Sequence, residues 1–229
     1  MSLATPPTPA APALNPTLAA NGADLLRQMG RLGLFQPGVP VSLGGHGGQL
    51  RDLCADAETA RTVAALGPYA PQVFRAQRLA IEALLQSQNG ALREIIVPDL
   101  VLAQRAGAAV LDGPALNGQD VGNGWQLNGN FNGVANLVWS GFSLVVPAQL
   151  EDNSPGWLML RSEEDGLYAT PGEDKAAWRG ATMGVVTLKQ VFFRRDEWLG
   201  TDALTPHLHA AAAELDRWFA AAQETPHHP

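Results

Sequence analysis

Gly124-Trp125-Gln126-Leu127-Asn128-Gly129 alternates apolar and polar side chains and then reaches an Asn-Gly pair. Alternation sends successive side chains to opposite faces, the pattern of a half-buried strand. Asn-Gly between such runs is a strong hairpin-turn signal. The same texture continues on both sides. From about Leu100 to Leu199, apolar runs are broken by Gly, Asn, Asp and Pro. The clearest strands are Phe142 to Val146, Trp157 to Leu160 and Val185 to Phe193. These features predict an antiparallel, barrel-like β domain over residues 99–200.

Upstream, the apolar spacing becomes helical. Asn15-Pro16 reads as an N-cap followed by proline at the first helical position. Leu18, Leu25, Met29 and Leu32 then share a face. A second helix is predicted over Gln49 to Leu66 and a third over Pro71 to Gln88, closed by Asn89-Gly90. The third turns Val73, Phe74, Ile81, Leu84 and Leu85 inward, and a short helical piece precedes Pro98. Residues 15–98 thus form a helical domain. Between the first two helices, four of the five residues from Gly44 to Gly48 are glycine. That is a loop, and with no lysine and no preceding strand it does not match a phosphate-cradling motif. Thr205-Pro206 opens a last helix in the segment 201–229. Its apolar stripe includes Leu208, Leu215, Trp218 and Phe219. The predicted class is α+β: helices, then a sheet, then one helix.

Composition narrows the function classes. The chain has 229 residues, 46% of them hydrophobic, enough for a substantial core. Its net charge of −7 opposes binding to a phosphate backbone, so nucleic acid is not an expected partner. The densest basic spot, Arg194-Arg195, is followed at once by Asp196-Glu197. A single cysteine, Cys54, excludes an intrachain disulfide and reads as a small core residue. No apolar run reaches about 18 residues, so no membrane span is expected, and the cytoplasm is the default location. Residues 1–14 are rich in Ala, Pro and Thr and read as a disordered tail without signal-peptide character. His46, His207, His209, His227 and His228 make no metal-ligand spacing, and the Pro226-His227-His228-Pro229 end reads as a frayed tail.

Four stretches in order carry a family resemblance. Gly33-Leu34-Phe35, Pro40 and Gly44-Gly45-His46-Gly47 are similar to a Gly-Leu…Pro…Gly-Gly-x-Gly loop of the acyl-CoA dehydrogenases. Gly124 to Gly129 resembles the family turn that introduces its flavin-contacting strand. Trp178-Arg179-Gly180-Ala181-Thr182 resembles an Arg-Gly-Ser/Thr turn. Val191-Phe192-Phe193 through Trp198-Leu199-Gly200 resembles the strand and exit that follow. The resemblance spans about residues 15–200, the family's N-terminal helical and middle β domains. It implies FAD as the family cofactor and acyl thioester dehydrogenation as the family reaction.

Carried over residue by residue, the resemblance implies a changed flavin face. Counting forward from Gly129, Gly133 stands where the family has an aromatic residue, Val134 at an isoleucine, Ala135 at a hydroxyl residue and Asn136 at an asparagine. Counting back, Ala103 and Gln104 stand at a Thr-Glu pair, and Ala109 at a serine. The family's base is a glutamate of a C-terminal helical bundle, and no family motif maps onto Glu214 or Glu224, which read as solvated charges. No catalytic residue and no metal ligand is therefore assigned. The leading expectation is a truncated, degenerate relative acting as a binding or regulatory module that holds no flavin tightly. The alternative is a flavin-dependent acyl-CoA oxidoreductase completed by a partner chain. A third expectation is a structural protein that assembles, as a homo-oligomer or with a partner chain, through Leu208, Leu215, Trp218 and Phe219; the same stripe packing back on its own body is the other reading of it.

Overall fold

The computed structural model describes residues 21–138, 140–150, 155–194 and 197–224. The predicted tail 1–14, the predicted helix start at Asn15-Pro16, and the terminal Pro226-His227-His228-Pro229 lie outside the described residues. Helix α1 (Gly22–Arg31) begins behind Asn21, whose side chain accepts the Asp24 N–H at 2.9 Å. The single helix predicted over 49–66 is two, α2 (Leu50–Cys54) and α3 (Ala57–Ala65). Asp56 divides them, because its carboxylate accepts the N–H groups of Glu58 and Thr59 and so caps a new helix.

Helix α4 (Ala70–Gln86) matches the third predicted helix and is buried on nearly every side. Asn89-Gly90 starts a helix as well as following one. Asn89 caps α5 (Gly90–Val101), accepting the Leu92 N–H at 3.2 Å. Helix α5 also runs through Pro98 instead of ending before it. A proline costs the helix one hydrogen bond, and burial of Val97, Leu100 and Val101 on either side holds the helix together.

The sheet comprises β1 (Ala106–Ala109), β2 (Leu116–Asp120), β3 (Gly124–Val134), β4 (Phe142–Leu150), β5 (Pro155–Arg161), β6 (Leu167–Pro171), β7 (Gly184–Arg194) and β8 (Trp198–Thr201). The main path is β6-β7-β3-β2-β4-β5-β8, with β1 paired to β4 off that path. Most pairs are antiparallel, but β1 and β2 both run parallel to β4. The α+β class therefore holds, whereas the expected barrel does not close: β6 and β8 are the two ends of an open, mixed sheet.

Two predicted turns lie inside other elements. Asn128-Gly129 sits within β3, where the register against β7 shifts between Leu127 and Gly129. The Asn128 side chain accepts the Gln190 N–H at 2.9 Å, so this Asn-Gly pair forms a β-bulge, not a hairpin end. Trp178 to Thr182 belongs mostly to helix α6 (Lys175–Ala181), which Asp174 caps and left-handed Thr182 terminates.

Helix α7 (Thr205–Glu224) closes the helical side. Leu208, Leu215, Trp218 and Phe219 are all buried, so the stripe is not an assembly surface of this body. Phe74 stacks on Phe35 with ring centres 5.2 Å apart, meets Trp218 at 5.6 Å and meets Phe219 edge-on at 5.8 Å. The Trp218 indole donates to the Asp56 carbonyl at 3.0 Å, and Arg75 on α4 grips Asp216 on α7 with two bonds of 2.7 and 3.1 Å. Helix α7 thus packs back on its own chain. Phe74→Ala is expected to destabilise the fold by about 3–5 kcal/mol, the usual cost of emptying a buried aromatic site, read from the urea unfolding midpoint.

Candidate functional site

Strand β1 and the segment after β3 meet at a buried polar hub on α4. Gln77 donates to the carbonyls of Leu100 at 2.7 Å and Arg105 at 3.0 Å. Its amide oxygen accepts the Gly107 N–H at 2.5 Å and the Asn136 side-chain N–H at 2.8 Å. Asn136 also donates to the Gly107 carbonyl at 2.9 Å, and its backbone N–H to the Ala181 carbonyl at 2.8 Å. The Asn136 Oδ1 is the one buried side-chain polar atom without a partner among the described residues. Arg105, at the foot of β1, donates to Ser143 and the Phe142 carbonyl and pairs with Glu163. That guanidinium holds the Glu163 carboxyl below its usual range.

The residues expected at the flavin face fall around this hub. Ala103 is buried with φ of +52°, and its backbone N–H bonds inward to Leu100. A Cβ on Gly30 of α1 would lie 2.6 Å from the Ala103 methyl, so the two are packed tightly together. Gln104 is exposed, but its N–H bonds to the Asp99 carbonyl. These two line a groove of about 350 Å³ with Leu26, Arg27, Val138 and Ser140. Gly133, Val134 and Ala135 are not among its lining residues. Gly133 is exposed with φ of +67° and open space where a Cβ would be. Val134 is buried and pairs with Gly184, and Ala135 is half-buried.

A second, larger cavity of about 930 Å³ opens between α4, α5, α7 and the glycine-rich segment. Glu82 and Glu214 line it. Glu82 accepts two bonds from buried Arg78, at 2.9 and 2.6 Å, both on Oε1. Arg78 also donates to the carbonyls of Pro37 at 2.7 Å and Gly38 at 3.0 Å. Burial pushes the Glu82 carboxyl up, against the pull of Arg78. Nearby Cys54 is pushed up to about 12 by burial first and by Glu214 second.

Sixteen per cent identity or so links this fold to solved structures, so the comparison speaks to the fold. A Bacillus anthracis acyl-CoA dehydrogenase complexed with FAD matches 88% of this chain and 36% of its own at a TM-score of 0.73 and 17% identity. A Mycobacterium smegmatis glutaryl-CoA dehydrogenase in complex with FADH2 matches 90% and 55% at 0.75 and 15% identity. The fold is that of the acyl-CoA dehydrogenases. The ChsE4-ChsE5 complex of Mycobacterium tuberculosis is also similar, covering 86% of this chain and 53% of its own at 0.69 and 17% identity. The chain spans about a third to just over half of these structures' lengths. No protein-family model and no curated protein matches it.

Within this acyl-CoA dehydrogenase fold, the positions aligned to flavin contacts offer no side-chain hydroxyl and no aromatic ring. At Ala103 and Gly133 the backbone itself is left-handed, a region that costs a residue with a Cβ roughly 1–2 kcal/mol. Threonine at 103 or an aromatic at 133 would carry that strain. The side chains present therefore do not fit the flavin contacts that the resemblance implies. Sequence reading missed Gln77, Arg78 and Glu82, three polar residues on an otherwise apolar helix. The Arg78-Glu82 spacing of i,i+4 was the available signal. Glu214, read as solvated, is half-buried on the cavity wall, while His46, His207 and His209 are exposed. No group of three His, Cys, Asp or Glu among the described residues could hold a metal, and no described helix is long and apolar enough to cross a membrane.

Gln77→Leu strips four hydrogen bonds and leaves buried backbone groups unpaired. At about 1–3 kcal/mol for such a group, the variant is expected to lose roughly 3 kcal/mol or more, with faster hydrogen exchange at the Gly107 amide. The Cys54 thiol, raised from 9.0 to about 12, carries on the order of a thousandth of the ordinary thiolate population near neutral pH. Iodoacetamide is expected to label it slowly in the native protein and rapidly in urea, as read by mass spectrometry.

Proposed function

We propose that this chain is a binding or regulatory module built on the acyl-CoA dehydrogenase fold, with its flavin face eroded. The observation that carries the reading is the left-handed backbone at Ala103 and Gly133, combined with the methyl or hydrogen side chains at Ala103, Gly133 and Ala135. A flavin ring needs polar side chains aimed at its heteroatoms and a face to pack on. Here the N–H groups of Ala103 and Gln104 are already used within the protein, and the amide of Asn136 is committed to Gln77 and Gly107. Each lost hydrogen bond to a buried group costs about 1–3 kcal/mol, so losing several weakens flavin binding by orders of magnitude.

The purified chain is expected to be colourless, and titrated FAD is expected to keep its free-solution fluorescence at micromolar protein. A yellow preparation with the visible flavin band would overturn the reading.

A second reading is a flavin-dependent acyl-CoA oxidoreductase completed by a partner chain. It draws support from the solved structures of similar fold, which include FAD and FADH2 complexes and the two-component ChsE4-ChsE5 complex. It predicts that flavin retention and acyl-CoA oxidation emerge together once a companion chain is added. Flavin binding by the isolated chain without turnover would favour neither half of that prediction and would count against it.

A further inference from the structure

The large cavity shares no lining residue with the groove at Ala103 and Gln104. Its wall carries an incompletely satisfied carboxylate. The Glu82 side chain is only 7% exposed. Both bonds from Arg78 fall on Oε1, and Arg78 divides its remaining donors among backbone carbonyls. Oε2 accepts no hydrogen bond, and it is not sealed in the protein, so its remaining exposure is to the cavity that Glu82 lines. A buried carboxylate oxygen without a donor is costly unless something fills the gap.

Glu214 of α7 lines the same cavity, makes no ion pair among the described residues, and lies near enough to push the Glu82 carboxyl further up. Glu94 of α5 is a third unpaired carboxylate on the wall. The two arginines there are otherwise engaged. Arg51 sits beside Asp52 at 3.8 Å, and Arg93 donates to the Ser87 carbonyl at 3.3 Å. Between the charges, Leu43, Leu50 and Leu85 supply apolar wall.

We infer that this cavity binds a primary alkylamine, its ammonium seated between Glu82 Oε2 and Glu214 and its carbon chain lying along Leu43, Leu50 and Leu85. An ammonium brings three donors and a full charge to carboxylates that lack both. The room is that of an organic ligand, since pockets of this kind run to several hundred Å³. A bare metal ion fits less well, because no three His, Cys, Asp or Glu side chains of the described residues converge closely enough to hold one. The site stands independently of whether flavin binds at the other face.

The test is calorimetric titration of the full chain with n-pentylamine, 1,5-diaminopentane and pentanoate. Saturable binding of the amines, with none for pentanoate, is expected. Glu82→Gln also disturbs Arg78 and the fold, so Glu214→Gln is the cleaner variant. It is expected to weaken amine affinity about tenfold, in line with a charge-assisted bond, while its unfolding midpoint without ligand stays at the parent value. The amine is also expected to raise the melting temperature of the parent more than that of Glu214→Gln. Absence of saturable amine binding, equal binding of pentanoate, or an unchanged affinity in Glu214→Gln would each overturn the assignment.

Discussion

Each hydrogen-bonding atom of the Gln77 side chain holds a different piece of the chain. Its nitrogen reaches the end of α5 and the foot of β1, and its oxygen takes the Gly107 N–H and the Asn136 amide. Helix α4 therefore cannot slide or rotate against the sheet without stranding buried backbone groups, at about 1–3 kcal/mol for each. The bonds are short enough to form because β1 reads Ala-Gly-Ala-Ala and lets the helix come close. A Cβ on Gly107 would stand 2.6 Å from the Ala80 methyl. Small side chains and the amide hub are thus one device, and its residual cost is the unpartnered oxygen of left-handed Asn136.

One residue further along α4, Arg78 does for the N-terminal segment what Gln77 does for the sheet. Consecutive helical residues point about 100° apart, so the two polar side chains serve different neighbours. Arg78 gathers the carbonyls of Phe35, Pro37 and Gly38 and fixes the path after α1. Gly38 is required there, with φ of +74° and a would-be Cβ only 2.8 Å from the guanidinium. A buried ion pair such as Arg78-Glu82 is weak evidence for stability in itself. Its structural value lies in the carbonyls that Arg78 orders, and its chemical value in the oxygen of Glu82 left facing the cavity.

The strands at 142–146, 157–160 and 185–193 were legible because alternation and turn residues agree there, and α4 was legible because its apolar spacing is dense. The misreadings have a common cause, which is local signals overruled by pairing or packing at a distance. Asn128-Gly129 reads as a hairpin turn, yet β7 runs alongside and takes the extra residue as a bulge. Pro98 reads as a helix end, yet flanking buried residues hold α5 together through it. The barrel stays open because closure depends on which strands end as edges, and no residue records that. At the candidate site, Gly133 and Ala135 were identifiable only by counting along a motif. The polar hub and the Glu82 cavity were hidden because single polar residues on an apolar helix give no periodic signal.

The left-handed residues near the hub bear on how a flavin face could be given up. Ala103 serves two contacts at once. Its methyl fills the space opposite Gly30 on α1, and its N–H closes the end of α5. On the proposed reading, a position that faced a cofactor in relatives has been turned to hold α1 against the start of the sheet. A threonine restored there would meet both the strain of a positive φ and the close approach of Gly30. Reversal at this position is then opposed by packing as well as by the missing hydroxyl. At Gly133 the opposition is backbone strain alone, since nothing stands within 4 Å of a Cβ placed there. Loss of flavin contacts at 103 is in this view structurally locked, whereas the loss at 133 is a matter of one strained residue.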